Sequence, residues 1–270
     1  MKKNLLYLTI LILIFLIFKN YTLVLESSVT AVDLWLNKVF PYLFIMITLN
    51  DTLINLGFEY LFKKSEIYVF IMSLLSGSPT SAIIINTLYK KGSISKSKAN
   101  NMLLFTFFAN PLFLYSMLNT IFNNTFITIK LMIIHYASNL IIYFLFKKSD
   151  DIPNIKKNDY RVNIASSIKK AMNTTIMVLG TITFYLVLCN VLDLGIVFRG
   201  LIEMTQGLNM LIGSNSSFTE LLSIIFISFG GISIHTQVKC ILDESDLEYK
   251  YFFKGRIYQV IIATFLTLIT

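Results

Sequence analysis

The polar residues with the clearest chemical potential lie in one interrupted apolar segment, 226–242, with the sequence FISFGGISIHTQVKCIL. The apolar run breaks at Gly230 and Gly231, and it resumes with a set of polar side chains: Ser233, His235, Thr236, Gln237 and Lys239. In a membrane an unpaired backbone group costs several kcal/mol, so such a break is tolerated only where protein buries it or where it lines a watery cavity. The segment therefore predicts a binding site.

These side chains can recognise a solute, but they do not form a catalytic set. The chain has two histidines, His135 and His235, and its sequence contains no nucleophile elbow, no phosphate-binding loop and no HExxH motif. No two carboxylates have a spacing that favours acid–base catalysis. Cys189 and Cys240 lie in apolar runs without metal-ligand spacing. We therefore expect no enzyme, no metal site and no cofactor.

A second break, at 76–81 with the sequence SGSPTS, is the expected partner of the first. If a helix begins after each break, near Thr80-Ser81 and near Ser233 to His235, its free N–H groups and the positive end of its dipole point into a shared cavity. Lys239 lies four residues after His235, on the same helical face, and adds a cation. A small anionic or strongly hydrogen-bonding solute is therefore the predicted substrate.

Each candidate residue also has a plainer interpretation. Lys239 can extend along its helix so that the ammonium reaches the lipid phosphates. His235 can bond a neighbouring carbonyl, although an ionisable residue at membrane depth is functional by default. Glu203 lies four residues after Arg199 and can simply neutralise it. Asn110, which precedes a proline, can belong to a packing kink or to the cavity wall.

The composition places all of these residues in a membrane protein. Hydrophobic residues make up 55% of the 270-residue chain, charged residues make up 14%, and the mean hydropathy is +0.69. These values exclude a soluble domain of ordinary composition. The formal net charge is +8, but the basic residues flank apolar runs, which is the pattern of membrane proteins rather than of nucleic-acid binding. We expect a lipid bilayer and no nucleic acid as partners, and the sequence leaves a homo-oligomer open.

The apolar runs predict a multi-pass, all-α integral membrane protein. An N-terminal anchor helix within 1–30 follows Lys2-Lys3, so the N-terminus is predicted to be cytoplasmic; a cleaved signal peptide is the alternative. The hydrophilic segment 147–170 carries seven Lys or Arg residues and is predicted to be a basic cytoplasmic loop. Further spans are predicted at 40–62, 102–122, 126–146, 172–192 and 258–269.

Two broken segments suggest an internal repeat. The first, 66–91, has lysines at both flanks, and the second, 220–243, is followed by an acidic cluster. We predict two re-entrant, broken-helix hairpins that enter from opposite sides, within a first repeat at 31–146 and a second at 171–270. One kinked spanning helix is the alternative for the first hairpin. A shift of 154 positions aligns Gly77 with Gly231. Inverted repeats with discontinuous helices are typical of secondary transporters.

Four ordered motifs resemble a known family. GSPTSA followed by KKGSIS, then ANPLF, then GLIEMTQG, and finally FGGISIHTQ with ILDESDL after it are similar to motifs of the YlbJ-type sporulation integral membrane proteins, also called stage V sporulation protein V. The resemblance covers the chain from about Pro41 to its end. It implies the nucleoside-recognition or Gate-domain superfamily, a nucleoside-transporter-like core, and a location in the cell membrane or the outer forespore membrane.

The resemblance also implies a function, the movement of dipicolinic acid across the outer forespore membrane during sporulation. Dipicolinate is a small planar dianion, which agrees with the anion predicted from the two breaks. Two alternatives remain open. One is a nucleoside-type transporter, in which Glu203, Asn110 and Gln237 bind ribose hydroxyls and base edges. The other is a structural membrane component of spore assembly.

The substrate-binding positions come from both lines of reasoning. Helix position adds Ser81 and Lys239, and at Ser81 many relatives have glycine instead. The motifs imply the remaining positions: Gly77, Ser78, Pro79, Thr80, Asn110, Glu203, Thr205, Gly230, Gly231, Ser233, His235, Thr236 and Gln237.

Overall fold

Helices form every regular element in the part of the chain that the computed structural model describes, residues 2–62, 64–147, 163–214 and 216–270. Most of the predicted basic loop, at 148–162, lies outside these residues. A π-helical turn, Trp35–Val39, joins α2 to α3, and a 3-10 turn, Phe58–Leu61, follows α3. The helices are α1 (Lys2–Lys19), α2 (Tyr21–Leu34), α3 (Phe40–Asn55), α4 (Ser65–Ser76), α5 (Thr80–Lys90), α6 (Lys96–Met102), α7 (Pro111–Phe122), α8 (Thr125–Phe146), α9 (Ile164–Val191), α10 (Ile196–Ile202), α11 (Met204–Asn209), α12 (Ser217–Phe229), α13 (Gly231–Leu242) and α14 (Tyr249–Ile269).

The described residues contain five helical segments that are long and apolar enough to cross a membrane. Large apolar side chains cover much of their outer surface; Ile261 and Phe265 on α14 are 60% and 61% exposed. Such a surface is suited to lipid and not to water. The predicted multi-pass, all-helical membrane protein is therefore confirmed. The five segments are Tyr21–Asn55, Thr125–Phe146, Ile164–Val191, Ser217–Leu242 and Tyr249–Ile269.

Ion pairs identify the helix ends that lie together. At one end of the bundle, Lys170 near the start of α9 pairs with Asp51 near the end of α3 (2.6 Å). Lys90, the last residue of α5, pairs there with Glu244, just after α13 (2.8 Å). We call this the basic end, because the predicted basic loop also leads into α9. The opposite, or far, end holds the start of α8 and the end of α9.

Helices α4 and α5 pack against each other, and both of their outer ends lie at the basic end. Glu66 in the first turn of α4 pairs with Lys98 in α6 (3.1 Å). The Tyr60 hydroxyl, before α4, lies 3.1 Å from the Ser93 hydroxyl, after α5. Gly77 in the turn between the helices has φ +75, a conformation that favours glycine. This geometry agrees with the hairpin predicted at 66–91, while its depth in a membrane stays a prediction.

Helices α12 and α13 differ from the second predicted hairpin. Glu220 in the first turn of α12 pairs with Lys130 near the start of α8 (2.5 Å), at the far end. Helix α13 ends beside Lys90 at the basic end. The segment Ser217–Leu242 therefore crosses the whole bundle, with one break at Gly230.

The acidic cluster after α13 does not mark an opposite side of the protein. Asp246 pairs with Lys96 (2.8 Å) and accepts a hydrogen bond from the Tyr89 hydroxyl (2.6 Å), and both of these residues belong to the basic end. Hydrogen bonds from Lys96 and Tyr89 lower the pKa of Asp246. The acidic cluster thus neutralises the lysines that follow the first hairpin. Helices α5 and α13 consequently point in the same direction, whereas the predicted pair of hairpins would have pointed them in opposite directions.

A second pair of helices, α10 and α11, lies at the far end, with Glu203 in the turn between them. Gly200 and Gly207 face each other across this pair, because a Cβ on Gly207 would lie 2.2 Å from the Gly200 Cα. The predicted Arg199–Glu203 pair does not form, since Glu203 begins a new helix. Arg199 instead lies 3.6 Å from the Asp193 carboxylate and donates to side-chain and backbone oxygens at the end of α9 and in the loop after it.

The predicted span at 102–122 also differs from a single helix. Within it only Met102, the last residue of α6, and helix α7 are helical, and residues 103–110 between them are not. By contrast, α8 (Thr125–Phe146) agrees closely with the predicted span at 126–146.

The contact between α10 and α11 predicts a specific intolerance at Gly207. A Gly207→Ala substitution should lower the free energy of unfolding by about 1–3 kcal/mol, because the added methyl overpacks a backbone–backbone contact. The matched control is Gly180→Ala on α9, where a Cβ meets no atom within 4 Å. Thermal unfolding of the two variants in detergent measures the difference. Equal unfolding temperatures would refute the close packing of these two helices.

Candidate functional site

A cavity of about 100 Å³ lies where the helix breaks meet; we call it the central cavity. Four helices begin at its wall, namely α5, α7, α11 and α13, so four N-termini converge on one space. Helix N-termini carry free N–H groups and the positive end of the helix dipole. Polar residues from all four breaks line the cavity: Ser76, Ser78, Asn110, Glu203, Thr205, Ser233 and Gln237.

Two of these helices are capped by their own N-cap side chains. The Asn110 side-chain oxygen accepts hydrogen bonds from the N–H groups of Leu112 (3.0 Å) and Phe113 (3.2 Å) at the start of α7. Glu203 accepts one from the N–H of Gln206 in α11 (2.9 Å). Helices α5 and α13 have no side-chain cap. In the first turn of α5 the Thr80 and Ala82 N–H groups donate to the Gly77 and Pro79 carbonyls (3.1 Å each), so what α5 turns toward the cavity is mainly the positive end of its dipole.

Three polar side chains add groups that a solute can use. The Ser78 hydroxyl oxygen is buried and has no hydrogen-bond partner. The Gln237 amide donates to the Thr181 hydroxyl (2.8 Å) and lies 3.4 Å from the Ser233 hydroxyl. Glu203 is 3% exposed and accepts a further hydrogen bond from the Thr205 hydroxyl. Within the described residues its carboxylate forms no ion pair.

A buried cation stands behind one wall of the cavity. The Phe107 ring lines the cavity, and the Arg256 guanidinium lies 4.1 Å from the centre of this ring. Arg256 is fully buried and donates to the Leu104 carbonyl (3.3 Å) and to the Gln259 side chain. No carboxylate of the described residues pairs with it. Its charge therefore raises the electrostatic potential near the cavity.

The backbone of the non-helical residues 103–110 is satisfied by side chains of α8 and α14. The Ala109 N–H donates to His135 Nε2 (3.1 Å), and the Asn139 amide donates to the Phe107 carbonyl. His135 was not among the predicted site residues, and nothing in the sequence indicated its link to this break. Gln259 Nε2 on α14 donates to the His135 carbonyl (3.1 Å), so α14 also belongs to the hydrogen-bond network around residues 103–110.

Eight of the fifteen predicted site residues lie outside the cavity wall, and three of these have side chains that contact other parts of the protein or lie at its surface. His235 Nδ1 is 2.6 Å from the Tyr249 hydroxyl and Nε2 is 3.1 Å from the Phe229 carbonyl, so His235 bridges the α12–α13 break, as its plainer interpretation predicted. The Thr236 hydroxyl lies 2.7 Å from that of Tyr185. Lys239 is exposed on the outer surface of α13, which agrees with the alternative in which its ammonium reaches outward.

The remaining predicted residues shape the backbone around the cavity. A Cβ on Gly77, in the α4–α5 turn, would lie 2.7 Å from the Asn110 nitrogen. A Cβ on Gly231, at the start of α13, would lie 2.9 Å from the Met204 nitrogen at the start of α11. Each helix pair therefore contacts the break that follows it in the chain. Gly230 has φ +85 and closes α12. Pro79 lines the cavity. Thr80 and Ser81 are buried in the first turn of α5.

Four polar or charged residues at or near the cavity were not predicted from the sequence: Ser76, Lys38, Tyr42 and Arg256. Lys38 and Tyr42 line the cavity, from the junction of the π-helical turn with α3. Neither residue interrupts an apolar run in a way that indicates a site. Arg256 did carry a signal, because a charged residue in an otherwise apolar spanning segment is functional by default.

The comparison with known proteins agrees with the membrane fold. The chain is 24% identical to the sporulation integral membrane protein YlbJ of Bacillus subtilis (strain 168), over 329 aligned positions that cover 94% of this chain and 81% of the relative. No family model matches the chain. No solved structure matches it. The similarity confirms the predicted resemblance to the YlbJ-type proteins.

The hydrogen bond of His135 to the 103–110 segment gives a testable prediction. His135→Leu should lower the free energy of unfolding by about 1–3 kcal/mol, because the buried Ala109 N–H loses its acceptor. His135→Gln offers an acceptor of similar reach and should recover much of this loss. Thermal unfolding in detergent compares the two variants with the wild type. Equal destabilisation by both substitutions would mean that His135 contributes packing rather than this hydrogen bond.

Proposed function

We propose that this YlbJ-type membrane protein is a transporter that carries a small organic anion through the central cavity during sporulation. The observation that supports this most directly is the meeting of the α5 and α13 N-termini, both without side-chain caps, at one cavity. The wall of the cavity is mostly apolar, but the polar side chains at the helix breaks that line it argue against a purely structural role, in which apolar packing would seal these breaks. The chemistry of the wall is that of recognition.

The preference for an anion follows from the charges around the cavity. Two helix N-termini without side-chain caps turn their positive dipole ends toward a negatively charged group. Arg256 adds a buried positive charge behind Phe107, and Lys38 lies at the wall. The candidate solute is dipicolinic acid, which the family resemblance implies. Its two carboxylates suit two N-termini, and its flat ring suits the Phe107 and Phe113 walls.

The arrangement of the helices supports alternating access. The first half of the chain has a crossing helix (α3), a helix pair at the basic end (α4–α5), a broken crossing (α6–α7) and a crossing helix (α8). The second half has the same order in α9 to α14, with its helix pair (α10–α11) at the far end. This order is similar to the plan of inverted-topology repeats in secondary transporters, and it supports the predicted inverted repeat. In this pairing the Gly77 turn corresponds to the Glu203 turn, and the Asn110 break corresponds to the Gly230 break, in place of the predicted match of Gly77 with Gly231.

One observation favours a second candidate, a nucleoside-type transporter. Glu203 is a buried carboxylate in the cavity wall and has no cationic partner among the described residues. Such a group accepts hydrogen bonds from ribose hydroxyls, and the aromatic residues Tyr42, Phe107 and Phe113 line the same cavity. A dianion beside Glu203 would instead require its carboxyl to be protonated.

Uptake into proteoliposomes tests the proposal. The intact protein should take up labelled dipicolinate. Ser78→Ala and Gln237→Leu should each raise KM about ten-fold or more, because a lost hydrogen bond to a charged group is worth about 1.5–3 kcal/mol. Lys239→Gln is the matched control, since Lys239 is exposed outside the cavity, and it should transport like the wild type.

The same vesicles separate the two substrate classes. Uptake of labelled uridine but not of dipicolinate, abolished by Glu203→Gln, would favour the nucleoside-type transporter. No flux of either solute through the correctly folded wild type would refute a transport function for these solutes. Unimpaired dipicolinate flux in both cavity variants would refute the central cavity as the site.

A further inference from the structure

A second and larger cavity, of about 490 Å³, opens at the basic end between α5, α9 and α13; we call it the basic cavity. None of its residues belongs to the site predicted from the sequence. Four lysines line it, and Glu244 is the only carboxylate in its wall among the described residues. The lysines are Lys90, Lys91, Lys169 and Lys170.

The positive charge of this cavity is only partly neutralised. Lys90 pairs with Glu244, but the two side chains are 44% and 66% exposed, and such pairs contribute little. Lys170 pairs with Asp51 and also donates to the Thr87 hydroxyl (2.7 Å). Among the described residues three carboxylates, those of Glu244, Asp51 and Glu59, interact with these four ammonium groups, so the cavity keeps an excess of positive charge.

The other two lysines of the cavity, Lys91 and Lys169, differ in their contacts with the rest of the protein. Lys91 donates to the Ile54 carbonyl at the end of α3 (2.7 Å), so it is tied to the protein. Lys169 is exposed and forms no ion pair within the described residues. The wall also holds neutral polar side chains, and all of them except Asn173 already donate a hydrogen bond to a backbone carbonyl, so the lysines are the main groups that could hold an anion. The neutral polar residues are Asn86, Thr87, Ser166, Asn173 and Thr174.

The basic cavity and the central cavity are stacked along the same three helices. Helix α9 contributes Thr174 to the basic cavity and Val178 to the central cavity, one helical turn later. Helix α13 contributes Ile241 to the basic cavity and Gln237, one turn earlier, to the central cavity. Helix α5 contributes Ile83 to the basic cavity, one turn after Pro79 in the central cavity. The two cavities are therefore separated by about one helical turn, which carries the apolar residues Ile83, Val178 and Ile241.

We infer that the basic cavity is a second anion-binding site, an entry site in which lysines hold a carboxylate-bearing solute before it passes between Ile83, Val178 and Ile241 to the central cavity. The identity of the solute rests on the proposed function. The positive charge of the basic cavity is independent of the proposed function, and it attracts anionic solutes from the water at this end of the protein. A phospholipid phosphate has related chemistry, and the experiment separates it from a soluble anion.

The test substitutes Lys90 and Lys169, the two lysines of the cavity whose contacts contribute least to the stability of the fold. Lys90→Gln/Lys169→Gln should raise the KM for dipicolinate uptake about three- to ten-fold and leave kcat near the wild-type value, because capture is weakened and the central site is intact. The KM difference should shrink at high salt, since ions screen exposed charges. The control, Lys250→Gln/Lys254→Gln, removes two exposed lysines of α14 outside the cavity and should leave KM unchanged. Wild-type KM in the Lys90/Lys169 variant would overturn the inference.

A binding measurement in detergent keeps the inference separate from transport. Dipicolinate should raise the unfolding temperature of the Gln237→Leu protein, in which the central cavity is impaired, and this rise should disappear when Lys90→Gln/Lys169→Gln is added. If the wild type shows no dipicolinate flux but this lysine-dependent rise occurs, the proposed function fails and the second site stands. Stabilisation by anionic phospholipid alone, without any effect of dipicolinate, would assign the cavity to lipid headgroups and overturn the inference.

Discussion

The structure depends on one constraint, the need to satisfy backbone polar groups where helices stop inside the bundle. Several kcal/mol are at stake for each group left unpaired in lipid. The Ser78 N–H donates to the Phe108 carbonyl (2.8 Å), and the Ala109 N–H donates to His135 (3.1 Å). His235 bridges to the Phe229 carbonyl across the other break (3.1 Å). Side chains and neighbouring turns thus close the breaks, while the starts of α5 and α13 stay without side-chain caps and face the central cavity.

The same constraint couples the helix pairs to the broken crossings. The turn at Gly77 lies against the Asn110 break, and the Gly231 break lies against the turn that contains Met204, both at distances that leave no room for a Cβ. A displacement of either helix pair therefore has to move the break that it touches. One pair lies at the basic end and the other at the far end, so under the proposed function opposite movements of the two pairs would open the cavity to opposite sides. Packed interfaces of this kind change between discrete arrangements rather than deform continuously.

Two buried charges of opposite sign give the central cavity its chemical character. Arg256 lies behind the aromatic wall without a carboxylate partner, and Glu203 lies in the wall without a cationic partner, as far as the described residues extend. An isolated buried charge is costly in a medium of low dielectric, so both residues have a reason to be there other than stability. A solute that carries both carboxylates and hydrogen-bond acceptors can interact with the dipole ends and with a protonated Glu203. A substrate that is neutral, by contrast, would use Glu203 as an acceptor.

The sequence by itself determined that the protein lies in a lipid bilayer and where two of its helical segments break. Apolar runs bounded by lysines require a helical membrane protein, because only such segments satisfy their own backbone in lipid. Breaks at Gly77 and Gly230 follow from residue chemistry, and the cavity residues Ser78 and Gln237 follow from those breaks, whereas the sequence predicted no more than a kink at Asn110.

Only the tertiary structure decided which side chains meet, because that depends on helix rotation and on which ends lie together. Helical spacing placed Lys239 and His235 on one face, but packing turned Lys239 outward. Spacing also suggested the Arg199–Glu203 pair, which fails because the helix ends between them. An acidic loop can lie on the opposite side from a basic one or neutralise it on the same side, and sequence charge alone does not distinguish the two. The ion pair of Glu244 with Lys90 shows that the acidic loop lies on the same side as the basic one. The segment predicted as a second hairpin is therefore a crossing helix with one break.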